Sequence, residues 1–279
     1  MTAACHPVPS SEAPASQHQS RIRVWQRSVI AWFALLVCTL APALVHAGEE
    51  DHITPYRPTV SNSAQLPTPG QLELELGVLS ARNDLNRTSV PYLFKLAFNQ
   101  EWGVLIGGEV LVAQYADDGS RLRGVGNTTI TAKRAFVRSE ASALGLEFTA
   151  SLPTAKTAIG GGKVDLTVNG IVSQDIGSVH LDANLNLTRV GAIDDDTGRL
   201  QTGLSAALST PLSTRWSLAT ELAGTRRDGV ALATQALVAL AFSPTKRLTL
   251  DFGVIKGLRA ASHDWSVFGG VVIPVAHLW

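Results

Sequence analysis

Apolar and polar residues alternate through most of this 279-residue chain, and this pattern limits the folds that the chain can adopt. Between residues 72 and 78, Leu or Val alternates with Glu or Gly, and between residues 181 and 187, Leu or Ala alternates with Asp or Asn. Successive side chains of a strand point to opposite faces, so a period of two predicts β-strands with one apolar and one polar face.

About twelve segments carry the alternation, and several are roughly ten to thirteen residues long. They lie near residues 70–80, 89–98, 102–115, 124–136, 142–152, 163–175, 178–189, 199–210, 214–224, 230–243, 247–255 and 264–275. Strands in soluble sandwiches average about five or six residues, whereas a tilted strand needs about nine to eleven to cross a bilayer. The sequence therefore predicts an all-β fold, a transmembrane antiparallel β-barrel of about 12 strands.

The connections between these segments alternate in length. Longer polar connections are expected at residues 81–88, 116–123, 153–162, 190–198, 225–229 and 256–263. The others are tight turns, such as Ile176-Gly177 and Pro211-Leu212-Ser213. Short periplasmic turns and longer external loops are typical of bacterial outer-membrane barrels. The even number of strands then places both termini of the chain on the periplasmic side.

Aromatic residues fall at the predicted periplasmic ends of the strands, as in a girdle at a lipid–water boundary. They are Phe98, Trp102, Phe136, Trp216, Phe242 and Trp279. Trp279 also ends an alternating C-terminal stretch, which we interpret as a signal for the barrel assembly machinery. Outer-membrane lipid and lipopolysaccharide are the other expected partners.

The N-terminal region has the pattern of a secretory signal. Arg21, Arg23 and Arg27 precede an uncharged stretch at residues 28–45, and Val45-His46-Ala47 offers a small-residue cleavage site. An uncleaved membrane anchor is the alternative. We predict a leader and signal peptide at 1–47, cleaved near Ala47, and a periplasmic segment at 48–69 within or beneath the lumen. The barrel would comprise residues 70–279, in the outer membrane of a Gram-negative bacterium.

Composition excludes several classes of function. The formal net charge is +0, whereas a nucleic-acid-binding protein needs a basic face. Cys5 and Cys38 are the only cysteines, so no thiolate metal site is possible downstream of them. A secreted soluble β-protein is the structural alternative, but large charged residues on one face of every strand favour a wide lumen with Leu and Val facing lipid.

If Leu and Val face lipid, charged residues of neighbouring strands meet in the lumen with alternating sign. We predict a ladder of Glu75, Lys95, Glu109, Lys133 and Glu147 across the first five strands. Other expected lumen residues are Glu73, Asn127, Asp165, Asn169, His180, Asp182, Arg215, Glu221 and Asp251. The ladder would either form a constriction that selects solutes or serve only to pair charges inside a narrow barrel.

Three patterns resemble chemical motifs and are better explained otherwise. The stretch Gly160-Gly161-Gly162-Lys163 lacks the spacing and the Ser or Thr of a phosphate-binding loop. The run Asp194-Asp195-Asp196 lacks the further oxygen ligands of a cation site. His180 and Asp182 share a face but have no serine at a recurrent spacing. We expect no cofactor and no enzymatic activity.

From about Tyr56 onwards, the chain resembles a family of outer-membrane proteins named for the MetA pathway of phenol degradation. The resemblance lies in Arg57-Pro58, in the stretch PGQLELELG at 69–77, in Gly124-Val125-Gly126-Asn127, and in Leu152-Pro153-Thr154 before a Gly-rich loop. It implies a barrel and the passage of small aromatic or apolar compounds. Asn127 departs from the Asp usual in the family, which removes a lumen carboxylate, and no catalytic residues carry over.

These observations lead to one main hypothesis, a passive outer-membrane channel for small-molecule solutes, among them hydrophobic or aromatic compounds. A closed structural or adhesive barrel is the first alternative. A barrel enzyme acting on lipid is the second. A continuous pore would distinguish the channel from the closed barrel, and a Ser/His/acid cluster at the outer rim would favour the enzyme.

Overall fold

The computed structural model describes residues 52–82, 85–116 and 119–279, so the predicted leader at 1–47 lies outside the described residues. Within these ranges the chain forms thirteen strands and one short helix. The first six strands are β1 (Gln71–Arg82), β2 (Leu85–Ala97), β3 (Trp102–Ala116), β4 (Arg121–Gly124), β5 (Thr128–Ser139) and β6 (Ser142–Leu152). Helix α1 (Thr157–Gly160) follows. The remaining strands are β7 (Asp165–Ile176), β8 (Val179–Arg189), β9 (Leu200–Pro211), β10 (Trp216–Arg227), β11 (Val230–Thr245), β12 (Leu248–Gly257) and β13 (Trp265–His277).

Twelve long strands close into one antiparallel barrel. Each strand pairs with its neighbours in the chain, and β1 pairs with β13 to complete the ring. The short β4 pairs only with β3, whereas β5 pairs with both β3 and β6. The predicted fold, with its number of strands, is confirmed. The predicted fourth strand at 124–136 corresponds to β5, which begins only at Thr128, because residues 125–127 leave the ladder and Gly126 N–H donates to the Glu109 carbonyl. The short β4 falls largely in the expected loop at 116–123.

The connection between β10 and β11 is shorter than the sequence suggested. Strands β10 and β11 pair as far as Arg227 and Val230, so that only Asp228 and Gly229 form the turn. Gly229 has a φ of 73°, a left-handed conformation that suits glycine. The expected loop at 225–229 is therefore wrong, since hydrogen-bonded pairing continues beyond the apolar alternation. We call this end of the barrel the loop end, and the opposite end, with Gln71 and His277, the terminal end.

The outer surface of the barrel is apolar. Among its exposed side chains are Leu185, Leu204, Leu222, Val238, Phe252 and Val267. Trp216 and Phe242 face each other across β10 and β11, with ring centroids 4.7 Å apart, near the terminal end. A continuous apolar surface of this size indicates contact with lipid. Of the residues that the structure covers, none form a helix long and apolar enough to span a membrane.

Residues 52–69 lie inside the barrel, and we call them the inner segment. Near the terminal end, Ile53 N–H donates to the Lys246 carbonyl, and at the other end of the segment Pro69 bridges to Ala97. Between these points the chain extends into the lumen and returns as one loop. Its middle residues bond to side chains from strands β1, β6, β7, β8, β9, β10 and β12.

Candidate functional site: the barrel interior

Two buried ammonium groups organise the centre of the lumen. The Nζ of Lys95 lies 3.0 Å from a carboxylate oxygen of Glu73 and 2.6 Å from one of Glu75. The Nζ of Lys133 lies 3.0 Å from a carboxylate oxygen of Glu147. Both lysine side chains are fully buried. A buried charge is tolerated when it is paired and its remaining hydrogen-bonding groups are satisfied, which these pairs achieve with the inner segment.

The inner segment joins the two charge clusters. Lys95 also donates to the Thr54 carbonyl, and Lys133 donates to the Ser63 carbonyl. The Tyr56 ring lies between them, with its centroid 4.4 Å from the Nζ of Lys95 and 4.2 Å from that of Lys133. This is a double cation–π contact.

The Tyr56 hydroxyl is held within the inner segment. It donates to the Gln65 carbonyl at 2.5 Å, which ties the two limbs of the loop together. Burial, with Glu147 and Glu75 adding to its effect, raises the pKa of the Tyr56 phenol well above its ordinary value. Tyr56 therefore acts as a neutral hydrogen-bond donor.

Glu109 does not join the other four residues of the expected ladder. Its carboxylate forms a bidentate pair with Arg87, at 2.8 and 2.7 Å. In the strand register, Lys95 lies opposite Leu105, and Gly103 lies opposite Lys133. Glu109 is therefore displaced along β3 towards the loop end, and the ladder is corrected to two clusters joined by Tyr56.

The wall of the barrel binds the main chain of the inner segment. The Glu73 carboxylate accepts from Thr54 N–H at 3.1 Å. The Glu75 carboxylate accepts from Tyr56 N–H at 2.7 Å and from Arg57 N–H at 3.2 Å. These carboxylates thus satisfy both Lys95 and the backbone amides of the segment.

Arg57 anchors the segment to β12. Its guanidinium donates through Nε and Nη2 to the two carboxylate oxygens of Asp251, each at 2.9 Å. Gly77 and Gly270 leave the space that it occupies, since a Cβ at Gly77 would lie 2.5 Å from the Arg57 Nη1. A bidentate pair of this kind fixes the orientation of the guanidinium and also compensates its charge.

The innermost part of the loop, residues 60–62, we call the tip. The buried Glu221 carboxylate accepts from Val60 N–H at 2.8 Å, and from Ser61 N–H and the Ser61 hydroxyl at 2.6 Å each. The Ser61 hydroxyl also lies 2.8 Å from that of Ser205. The Asn62 N–H donates to Asn184 at 3.0 Å, and its side-chain amide donates to Glu147 at 2.9 Å.

The returning limb of the loop packs closely against β6 and β7. Ala64 N–H donates to the Ser173 hydroxyl at 2.8 Å. A Cβ added at Gly145 would lie 3.3 Å from the Cβ of Ala64. Asn169 donates to both Glu147 and Asn184 and links the wall residues that hold the tip.

The remaining predicted lumen residues fall into three groups. His180 lies towards the terminal end, with its Nε2 3.3 Å from Asp182 and its Nδ1 2.5 Å from Asp175. Asn127 and Asp165 lie towards the loop end, where Asn127 bonds to the segment around α1 and Asp165 accepts from Gly191 N–H. Arg215 is an exposed turn residue and not a lumen residue, because the strand alternation begins one position later, at Trp216.

Among the cavities inside the barrel are two that border the wall formed by β9, β10 and β11. The outer cavity, of about 300 Å³, is lined by Val60 of the tip and by small wall residues that include Gly203, Ser205 and Ala223. The terminal cavity, of about 850 Å³, lies at the terminal end and is lined by the inner segment and by Ala207, Ser209, Ala219, Ala241 and Ser243 among others.

The contacts of the inner segment follow no local sequence pattern. Arg57, Ser61 and Asn62 carry no periodic pattern, and their partners lie up to 194 residues away in the sequence. A signal was present in the wall, where Gly77, Gly145 and Gly270 lie at inward-facing positions of the strands. Glycine inside a strand often marks a close approach of another backbone. Within the described part of the chain, no group of three potential metal ligands occurs.

Comparisons with known proteins agree with this architecture. A family model described as "Putative MetA-pathway of phenol degradation" matches residues 56–273. Among solved structures, the KdgM porin in complex with disordered oligogalacturonate aligns with a TM-score of 0.50 and 10% identity, over 72% of this chain and 99% of that chain. The translocator domain of the autotransporter NalP from Neisseria meningitidis aligns with a TM-score of 0.47 and 8% identity, over 89% of this chain and 96% of that chain. A search of curated proteins found no match.

Proposed function

The chain belongs to the family named for the MetA pathway of phenol degradation, and from this premise we propose that it is a passive outer-membrane channel for small uncharged solutes, apolar and aromatic ones included. The barrel resides in the outer membrane of a Gram-negative bacterium, with its terminal end facing the periplasm. The single observation that carries the proposal is the alignment of two cavities along one wall of the lumen.

The wall that both cavities share leaves space in the lumen for a solute to pass. Most of its inward side chains on β9 and β10 are small, as at Gly203, Ser205, Ala207, Ala219 and Ala223, and Glu221 is the large exception. Small side chains leave space in a barrel of twelve strands, whose lumen would otherwise be filled by side chains. A route for small molecules therefore follows this wall, and the tip lies between the two cavities along it.

The chemistry of the wall favours solutes without charge. The paired lysines and most of their carboxylates belong to β1, β2, β5 and β6, where the inner segment covers them. On the β9, β10 and β11 side of the route, serine and threonine hydroxyls alternate with alanine and glycine, whereas the charged residues Arg57 and Asp182 line other parts of the terminal cavity. Such a surface offers weak hydrogen bonds and apolar contact, which suit a small neutral molecule with one or two polar atoms.

Single-channel recording in planar lipid bilayers tests the proposal. Discrete, ohmic conductance steps are expected from the folded protein, together with swelling of proteoliposomes in small uncharged solutes. In the variant Ala223→Trp, an indole would fill the outer cavity and should reduce both signals several-fold. The matched control is Leu222→Trp, because Leu222 is 62% exposed on the lipid side of the same strand.

The same measurements distinguish the alternatives. Folded protein that neither conducts nor permits swelling would contradict the channel and favour a closed structural barrel. Equal conductance in Ala223→Trp and the unsubstituted protein would contradict the proposed route while leaving a pore elsewhere. Hydrolysis of lipid by the purified protein would favour the enzyme.

A further inference from the structure

We propose that the tip of the inner segment is the gate of this channel, and that its release from Glu221 joins the outer and terminal cavities into one pore. The inference rests on the proposed channel function and adds to it the residues that close the route. It requires movement of residues 60–62 only, with the barrel and the rest of the inner segment in place.

The position of Glu221 supports this assignment. On the inward face of β10, Ala223 lines the outer cavity and Ala219 lines the terminal cavity, and Glu221 lies between them. On the neighbouring strands, Ala207 and Leu237 lie opposite Glu221 in the register. The tip thus binds the wall at the boundary between the two cavities.

The tip is also exposed on the side from which a solute would arrive. Val60 forms part of the outer cavity, and 55% of its surface is accessible. Thr59, the preceding residue, lines the terminal cavity. One residue step of the inner segment therefore separates the two compartments.

The charge of Glu221 is unusual for a buried group. Its surface is 4% exposed, and in the described structure no lysine, arginine or histidine forms an ion pair with it. Its carboxylate is instead satisfied by Val60 N–H, Ser61 N–H and the Ser61 hydroxyl. When the tip leaves, water in the joined cavity can replace these three donors, so both positions of the tip satisfy the carboxylate.

The barrel wall is a poor candidate for such a movement. Strands β9 and β10 are paired along eleven consecutive positions, from Ser217 opposite Pro211 to Arg227 opposite Gln201. In the inner segment, in contrast, backbone–backbone hydrogen bonds to the wall lie near its ends, as at Ile53 and Gly70, whereas the tip is held by side chains such as those of Glu221 and Asn184. Movement of the tip breaks contacts to a few side chains, whereas movement of the wall would break a ladder.

The two limbs of the loop are held more firmly than the tip. On one side, Arg57 is fixed by its bidentate pair with Asp251, and Tyr56 is held between the two lysines. On the other side, Ala64 packs on Gly145 and bonds to Ser173. These anchors give the tip fixed ends, so its release does not require the inner segment to leave the barrel.

A reversible crosslink of the tip tests the gate directly. Ser61→Cys with Ser205→Cys links the tip to β9, where the two hydroxyl oxygens lie 2.8 Å apart. Ala64→Cys with Gly145→Cys is the matched control, since it links the returning limb to β6, with the Cβ atoms about 3.3 Å apart. Cys5 and Cys38, the only native cysteines, are replaced by Ala in both variants.

The oxidised tip crosslink is expected to abolish most of the single-channel conductance, and a reductant should restore it. The oxidised control crosslink should leave the conductance nearly unchanged.

A second variant, Glu221→Gln, weakens the bonds to the tip and is expected to raise the open fraction of the channel roughly tenfold, because such bonds to a charged group are stronger than neutral ones. Glu109→Gln, which affects a pair remote from the tip, should not raise it.

The outcomes separate this inference from the channel on which it rests. Conductance that is unaffected by the oxidised tip crosslink would overturn the gate and leave the channel standing. Equal loss of conductance in both crosslinked variants would overturn the assignment to the tip, since the whole inner segment would then be the moving part. Absence of conductance in every variant, with folding verified, would overturn both.

Discussion

At the scale of single residues, the interior of this barrel depends on charges whose partners come from two sources. Lys133 receives one carboxylate, that of Glu147, from the wall and one carbonyl, that of Ser63, from the inner segment. Either partner alone would leave more than one N–H donor of this fully buried ammonium group without an acceptor. The segment is therefore part of the folded core of the barrel, and its contribution is electrostatic as much as steric.

Removal of the Lys133 charge should accordingly destabilise the barrel strongly. Lys133→Met keeps most of the side-chain volume but leaves Glu147 buried without its cation, which typically costs about 3–5 kcal/mol. The measurement is the free energy of unfolding in urea, followed by tryptophan fluorescence in lipid vesicles. Glu101→Gln is the matched control, because its pair with Arg134 is exposed and should contribute less than about 1 kcal/mol. Equal losses in the two variants would contradict the special role of the buried pair.

At the scale of elements, the strands could be predicted from the sequence because their signal is local. In residues 142–152, apolar side chains alternate with polar or small ones, and β6 has these same bounds. The break between β4 and β5 was not predictable in this way, since Gly126 leaves the ladder through a bond to the Glu109 carbonyl of a different strand. The alternation in 124–136 continues across a position where the hydrogen-bonded pairing stops.

The contacts of the inner segment, in contrast, could not be predicted from local alternation. The sequence predicted that residues 48–69 lie within or beneath the lumen, but the contacts of the inner segment are long-range and follow no period. The clamp of Glu221 on Ser61 joins residues 160 positions apart. Wall residues such as Glu75 and Lys95 could be identified as inward-facing by parity alone, whereas their shared partner Tyr56 could not.

The glycines that make room for the inner segment allow a prediction about this element. In Gly270→Ala, the added methyl group would overlap the Arg57 guanidinium, so Arg57 should lose its bidentate contact with Asp251. The inner segment should then exchange its amide hydrogens faster, as measured by hydrogen–deuterium exchange and mass spectrometry. Gly170→Ala is the control, because the nearest atom to its added Cβ lies 3.9 Å away. Unchanged exchange in Gly270→Ala would show that Arg57 does not anchor the segment.

At the scale of the whole molecule, charge is distributed unevenly although it sums to zero. The chain as a whole has a formal net charge of +0. Inside the barrel, however, the carboxylates outnumber the cations even when His180 is counted: Glu73, Glu75, Glu109, Glu147, Asp182, Glu221 and Asp251 against Arg57, Arg87, Lys95, Lys133 and His180. The compensating positive charges lie outside this region, so the field within the lumen is negative.

This excess predicts that the ionic current through the pore is carried mainly by cations. In a salt gradient, the reversal potential should have the sign of cation preference, because a negative lumen attracts cations and repels anions. Asp182→Asn should shift the reversal potential towards zero, since Asp182 lines the terminal cavity and its charge is close to the route. Asp195→Asn removes the same charge from an exposed position in the connection between β8 and β9 and should change the reversal potential little. Raising the ionic strength should weaken the preference in the unsubstituted protein, because salt screens charges across a water-filled pore. Anion preference, or equal shifts in the two variants, would contradict the assignment of selectivity to the lumen carboxylates.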